Sequence, residues 1–122
     1  MKSGLYVAIA FFVAATSLTA QSLPVDSLKG RTVVVVTENA YPPLQFIDPS
    51  SGNAIGWEYD ALEEIAARTG MSYEIQNTSW DAMIPAVSEG QYDMGMTGIT
   101  IREDRAQVVD FSAPYMRSEM FM

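Results

Sequence analysis

The residues best suited to chemistry lie in one stretch, Tyr92-Asp93-Met94-Gly95-Met96-Thr97-Gly98-Ile99-Thr100-Ile101-Arg102-Glu103-Asp104-Arg105. Arg105 carries a guanidinium fork, which matches a carboxylate with two parallel hydrogen bonds. Thr97 and Thr100 supply hydroxyls, and Gly98 has no Cβ, so a ligand can approach its backbone. Thr100 and Glu103 stand at the S/T-x-x-E spacing of a capping box, which predicts a helix opening there. A helix start exposes unpaired N–H groups at the positive end of the dipole and suits an anion. The stretch therefore reads as a short strand, a turn and a helix start that together form a socket for a small molecule bearing a carboxylate. An ordinary helix start also fits these residues.

Composition narrows the alternatives. The chain has 122 residues and no histidine or cysteine, so thiol nucleophiles, His-based triads and Cys/His zinc sites are excluded within it. Carboxylate-only metal sites stay open, but no EF-hand loop pattern is present, and no cofactor is expected. The net charge of −8 argues against a nucleic-acid partner, which needs a basic surface. Hydrophobic residues make up 48% and charged residues 18%, a globular balance for one domain of modest core.

The elements that must position the socket follow from hydrophobic pattern. Residues 32–37 are a β-branched run of the kind buried on both faces of a parallel sheet. Glu38 to Pro43 follow as a loop ended and stiffened by two prolines. Gln45 to Ile47 read as a short strand, and Asp48 to Asn53 as a turn. Glu58 to Arg68 read as a helix capped by Gly70, burying Leu62, Ile65, Ala66 and Thr69. Glu58, Asp60, Glu63 and Glu64 read as its solvated acidic face. Ser72 to Gln76 alternate as a strand. Asp81 to Glu89 read as a second helix with Met83, Ile84 and Val87 inward and Pro85 in its first turn. Val108 to Phe111 read as a last short strand. The order β, α, β, α, β predicts an α/β layer, with ligand-binding loops beyond the strand ends. Tyr41, Trp80, Thr97 to Thr100 and Arg105 all sit beyond such ends and are expected to share one edge. The two aromatics fit a clamp on a ligand side chain, and fit core packing equally well.

Residues 1–20 read as a secretory signal peptide, with Lys2, an apolar run from Leu5 to Ala15, and cleavage after Ala20. Residues 21–30 read as a loose segment, and residues 31–122 as the folded unit.

Five ordered blocks then carry a resemblance: Glu38 to Phe46, Gly56-Trp57-Glu58-Tyr59-Asp60, Trp80 to Ala86, Tyr92 to Arg105, and Asp110-Phe111-Ser112-Ala113-Pro114-Tyr115. They resemble the N-terminal lobe of the bacterial extracellular solute-binding proteins of family 3, periplasmic receptors for polar amino acids that serve ABC importers. The resemblance implies an α/β fold of the type II periplasmic-binding-protein kind, with an open, mostly parallel sheet flanked by helices. It implies that Arg105 grips an amino-acid α-carboxylate, aided by the N–H and hydroxyl of Thr100. Gly98 and Thr97 would face the α-ammonium, and Tyr41 and Trp80 would stack on the side chain. Glu38 stands where many members carry aspartate; it would favour a cationic ligand or face solvent.

Family members close two lobes around the ligand. The chain ends at Met122, about where the second lobe would begin, so it is expected to be a fragment offering half a site. The expected partners are a polar amino acid and, for the whole protein, an inner-membrane ABC permease. A cyclohexadienyl or arogenate dehydratase-like enzyme and a ligand-sensing domain of a larger receptor are the alternatives.

Overall fold

The computed structural model describes residues 28–119. The signal peptide expected over residues 1–20 lies outside the described residues, as does the expected loose segment except for Leu28 to Gly30, which form a turn.

A three-stranded parallel sheet organises the chain. Its middle strand is β1 (Thr32–Thr37), flanked by β5 (Ser72–Asn77) and β6 (Met94–Gly95), in the order β5-β1-β6. The β1/β5 register runs from Thr32 opposite Ser72 to Thr37 opposite Asn77, and Val35 and Val36 face Met94 and Gly95. Helix α1 (Trp57–Thr69) precedes β5, and α2 (Trp80–Ser88) links β5 to β6. Side-chain alternation along β1 explains why both of its faces are apolar. Val33 and Val35 meet Leu62 of α1 and Met71 on one face, where Met94, register partner of Val35, also packs. Val36 shares the opposite face with Gly95, and there the Met83 side chain of α2 lies against the glycine. Val35, Val36 and Met83 are fully buried. The continuous β-branched run is thus the signature of a strand covered on two sides.

A small antiparallel sheet sits beside the first one. It consists of β2 (Ala40–Tyr41), β3 (Gln45–Ile47) and β4 (Ala54–Ile55), with β3 in the middle. Its loops anchor α1. The N–H groups of Trp57 and Glu58, among the four that a helix start leaves free, donate to the carbonyls of Pro43 (3.1 Å) and Leu44 (2.9 Å). Gly56 allows this junction: its φ is +138°, and a Cβ there would lie 2.3 Å from the Leu44 oxygen. At the other end Gly70 takes the left-handed conformation and donates to Ala66, as its position after the helix predicts.

Several expectations need correction. The buried stripe of α1 runs through Glu58, Leu62 and Ala66, one helical turn apart, so Ile65 is turned out and exposed. Glu58 is therefore not part of a solvated acidic face: it is 2% exposed. Pro85 lies at the sixth residue of α2, not in its first turn. It leaves the Asp81 carbonyl without its helical donor, and its own ring faces solvent. Val108 to Phe111 form no strand. The N–H groups of Val108 and Val109 instead turn back onto the Arg105 carbonyl, so the segment curls where it had read as extended. Among the described residues no helix is long and apolar enough to cross a membrane.

Candidate functional site

Because the three sheet strands are parallel, their carboxyl ends open on one edge, where α/β sheets hold ligands. Glu38 follows β1 directly, Trp80 opens α2 after β5, and Thr97 follows β6. A cleft of about 280 Å³ lies on this edge, lined by Glu38, Ala40, Tyr41, Trp80, Thr97, Gly98, Thr100 and Arg105. The structure thus brings together all seven residues singled out in the sequence and adds Ala40, whose only signal was its place beside Tyr41.

The charged groups of the cleft are held from behind. Arg105 sits in α3 (Glu103–Ala106), and its Nη1 donates to the Thr100 carbonyl at 3.0 Å. Its guanidinium carbon stands 5.0 Å from the Trp80 ring centroid, a cation–π arrangement. Glu38 Oε1 accepts from the Trp80 N–H at 3.3 Å, so this carboxylate approaches the start of α2. The Ser79 side chain makes no capping bond there. The cleft therefore offers one cationic and one anionic side chain, each with capacity left for a ligand.

The expected capping box does not form. The residue before α3 is Arg102, not Thr100, and no side chain caps the helix. Arg102 instead pairs with Asp104 at 2.9 and 3.1 Å, and this guanidinium holds the Asp104 carboxyl below the usual aspartate range. At four residues, α3 is too short for an anion site built on its own backbone dipole. Any anion here would depend on the Arg105 guanidinium.

Gly98 also serves another purpose than the one its type suggests. Its φ is +61°, and a Cβ would meet Leu44 at 2.6 Å and the Tyr41 ring at 2.8 Å. The space left by the missing side chain is filled by Tyr41, one wall of the cleft, and not held open for a ligand. Two buried polar groups fix the same region. Gln45 spans from the Ala40 N–H, which donates to its Oε1 at 3.1 Å, to the Thr97 hydroxyl, which accepts from its Nε2. Glu58 Oε1 accepts from the Gly98 N–H at 2.7 Å and from the Tyr115 hydroxyl. Nearby, Tyr59 donates to Asn39, which in turn donates to Asn77 at 2.8 Å, tying the loop after β1 to the end of β5; burial pushes the Tyr59 phenol up. Gln45 and Glu58 escape sequence reasoning because polar side chains on a strand and a helix start look solvated until the fold covers them.

Comparison with known proteins bears on this arrangement. The family model of bacterial extracellular solute-binding proteins, family 3, matches residues 33–122. A probable histidine-binding protein of Neisseria gonorrhoeae is 34% identical over 86 residues, covering 70% of this chain and 32% of that protein. Among solved structures, an arginine-bound form of domain 1 of the T. maritima arginine-binding protein superposes with a TM-score of 0.63 at 36% identity, covering 69% of this chain and 66% of that one. An ancestral cyclohexadienyl dehydratase gives a TM-score of 0.63 at 30% identity, covering 70% and 35%. The chain spans about a third of the length of the curated relatives it matches. With a sheet-edge cleft, the fold of these structures and a family match across nearly all the described residues, the chain belongs to the bacterial extracellular solute-binding proteins, family 3.

Proposed function

We propose that the cleft is one wall of a binding site for a free amino acid, and that the whole protein delivers this ligand to an ABC permease in the inner membrane. The convergence of Arg105, Glu38, Tyr41 and Trp80 on one cleft carries the reading. In it, Arg105 and Thr100 hold the α-carboxylate. The Gly98 carbonyl and Thr97 face the α-ammonium, and Tyr41 and Trp80 flank the side chain. Glu38 at the cleft wall supports a ligand with a cationic side chain, and the relatives named for histidine and arginine point the same way. Residues 1–20 act as a cleavable signal peptide that sends the chain to the periplasm; the extracellular character of the family supports this.

A dehydratase reading has one observation behind it, the ancestral dehydratase among the structural neighbours. Such chemistry needs an acid or base above a bound ring. Glu38 is the one carboxylate that lines the cleft, and the curated relatives are named as binding proteins, so the binding reading is preferred. Prephenate or arogenate turnover by the protein would reverse that preference.

Calorimetry of the chain against L-arginine, L-histidine, L-glutamine and L-cystine tests the proposal. Micromolar affinity requires roughly −8 kcal/mol. A cleft contacting the ligand from one side is expected to bind more weakly than that, yet measurably. Arg105→Ala is expected to weaken binding about ten- to a hundredfold, the worth of a charge-assisted hydrogen bond of ~1.5–3 kcal/mol. Arg105→Lys should restore only part, since a lysine cannot offer the bidentate fork. Binding that ignores Arg105→Ala would remove this residue from the site. No heat with any of the four ligands at millimolar concentration would remove the reading.

A further inference from the structure

We propose that Glu58 is a positioning residue: its buried carboxylate ties the Thr97–Gly98 turn of the cleft to Tyr115 on segment 111–119, so that the seating of this segment sets the geometry of the cleft. The proposal rests on the binding reading above. Glu58 is not among the residues that line the cleft and reaches it through the Gly98 N–H.

The physical case begins with burial. Glu58 is 2% exposed, and its Oε2 is buried with no hydrogen-bond partner among the described residues. The carboxylate then relies on Oε1, which accepts from two donors, the Gly98 N–H at 2.7 Å and the Tyr115 hydroxyl. In a site of low dielectric, donors sharing one acceptor are coupled: removing one changes the strength and length of the other. One donor belongs to the ligand cleft. The other belongs to a residue 57 positions away from Glu58 in the sequence.

Glu58 itself is rigidly placed. It is the second residue of α1, and its N–H is bonded to Leu44, whose side chain abuts Gly98. Tyr115 is placed independently of the carboxylate by stacking on Trp57, with ring centroids 5.4 Å apart and planes inclined by 27°. The ring is half exposed while its hydroxyl points inward, so movement of segment 111–119 would pull the hydroxyl away from a carboxylate that cannot follow. Burial, with Glu58 beside it, also pushes the Tyr115 phenol above its ordinary value. The left-handed backbone of Gly98 is held by the Tyr41 ring and Leu44 on one side and by Glu58 on the other, so a change at Oε1 reaches the cleft wall through it.

Tyr115→Phe is the deciding variant. It keeps the ring on Trp57 and deletes only the hydroxyl, so the fold is expected to survive. Two readings are taken on the full chain: the Gly98 amide proton shift by NMR, and L-arginine and L-histidine affinity by calorimetry. A merely structural role would lower the melting temperature without moving the Gly98 amide. The proposal expects the Gly98 resonance to move and affinity to fall by about fivefold, the lower end of ordinary coupling between sites. Glu58→Gln, which replaces the charge by an amide, should move the same resonance further. If Tyr115→Phe leaves the Gly98 amide in place, or moves it without changing affinity, the proposal is overturned. If the unmodified chain binds none of L-arginine, L-histidine, L-glutamine and L-cystine, the cleft reading fails, and the Gly98 amide alone decides the link to Tyr115.

Discussion

Single residues carry the sharpest information. Arg105 was legible as a candidate because a guanidinium beside a helix start suits an anion, and Trp80 because an aromatic beyond a strand end can clamp a ligand as readily as pack in a core; both line the cleft. Gly98 was legible as special, but for a different reason. Its missing Cβ admits the Tyr41 ring. Glu58 was not legible at all, since an acidic residue in the first turn of a helix ordinarily faces water and favours the dipole. Only the contact of α1 with the cleft loops buries it. Gly98→Ala follows from this geometry. The added Cβ would meet two side chains closer than 3 Å in a backbone region unfavourable to alanine. The expected loss is about 1–3 kcal/mol from backbone strain alone, read as a lower urea midpoint at unchanged m-value. Stability equal to that of the unmodified chain would show that Tyr41 is free to move aside.

Elements were read more accurately than their details. The β1 run, the alternation of β5 and the glycine ending α1 are strong local signals and gave elements close to those observed. The face of α1 was misjudged because two helical stripes, one through Ile65 and one through Glu58, both contain Leu62; sequence pattern prefers the apolar stripe. Hydrophobicity without a partner strand also does not make a strand, which is why Val108 to Phe111 curl. The turn joining β3 and β4 was read correctly and makes a testable titration. Asp48 Oδ2 accepts from the Ser51 hydroxyl at 2.6 Å, and Oδ1 accepts from the Ser50 N–H at 3.0 Å. These bonds, that of Ser51 first, hold the Asp48 carboxyl down at about 2. A depressed carboxylate contributes stability that is complete above its unfolded value near 3.9 and is lost as pH falls through about 2. Ser51→Ala should therefore raise the Asp48 midpoint toward its ordinary value in an NMR pH titration. A midpoint unchanged by that substitution would assign the shift to the Ser50 bonds alone.

At the scale of the molecule, the edges of the parallel sheet matter most. Among the described residues β5 pairs only with β1, and five of its six residues are exposed, including Tyr73. Such an edge presents unpaired N–H and carbonyl groups to any other strand. Trp57, Val108, Tyr115 and Met116 are also large apolar residues left about half exposed. Opposing association is a net charge of −8, which repels a second copy at low ionic strength. These two effects differ in range. Strand pairing and apolar contact act at touching distance, while the charge acts over a Debye length of ~10 Å at 0.1 M salt and only ~3 Å at 1 M. The chain is thus expected to sediment as a monomer in dilute buffer and to associate as salt and concentration rise. Tyr73→Lys places a charge on the β5 edge and removes an exposed ring, so it should suppress the salt-induced species. If sedimentation shows a monomer at every salt concentration, the edge is not adhesive. If association persists in Tyr73→Lys, the contact does not depend on that ring, and the half-exposed apolar residues Trp57, Tyr115 and Met116 are tested next. A contact that includes Tyr115 would make the seating of segment 111–119 depend on protein concentration, and through Glu58 the affinity of the cleft would vary with it.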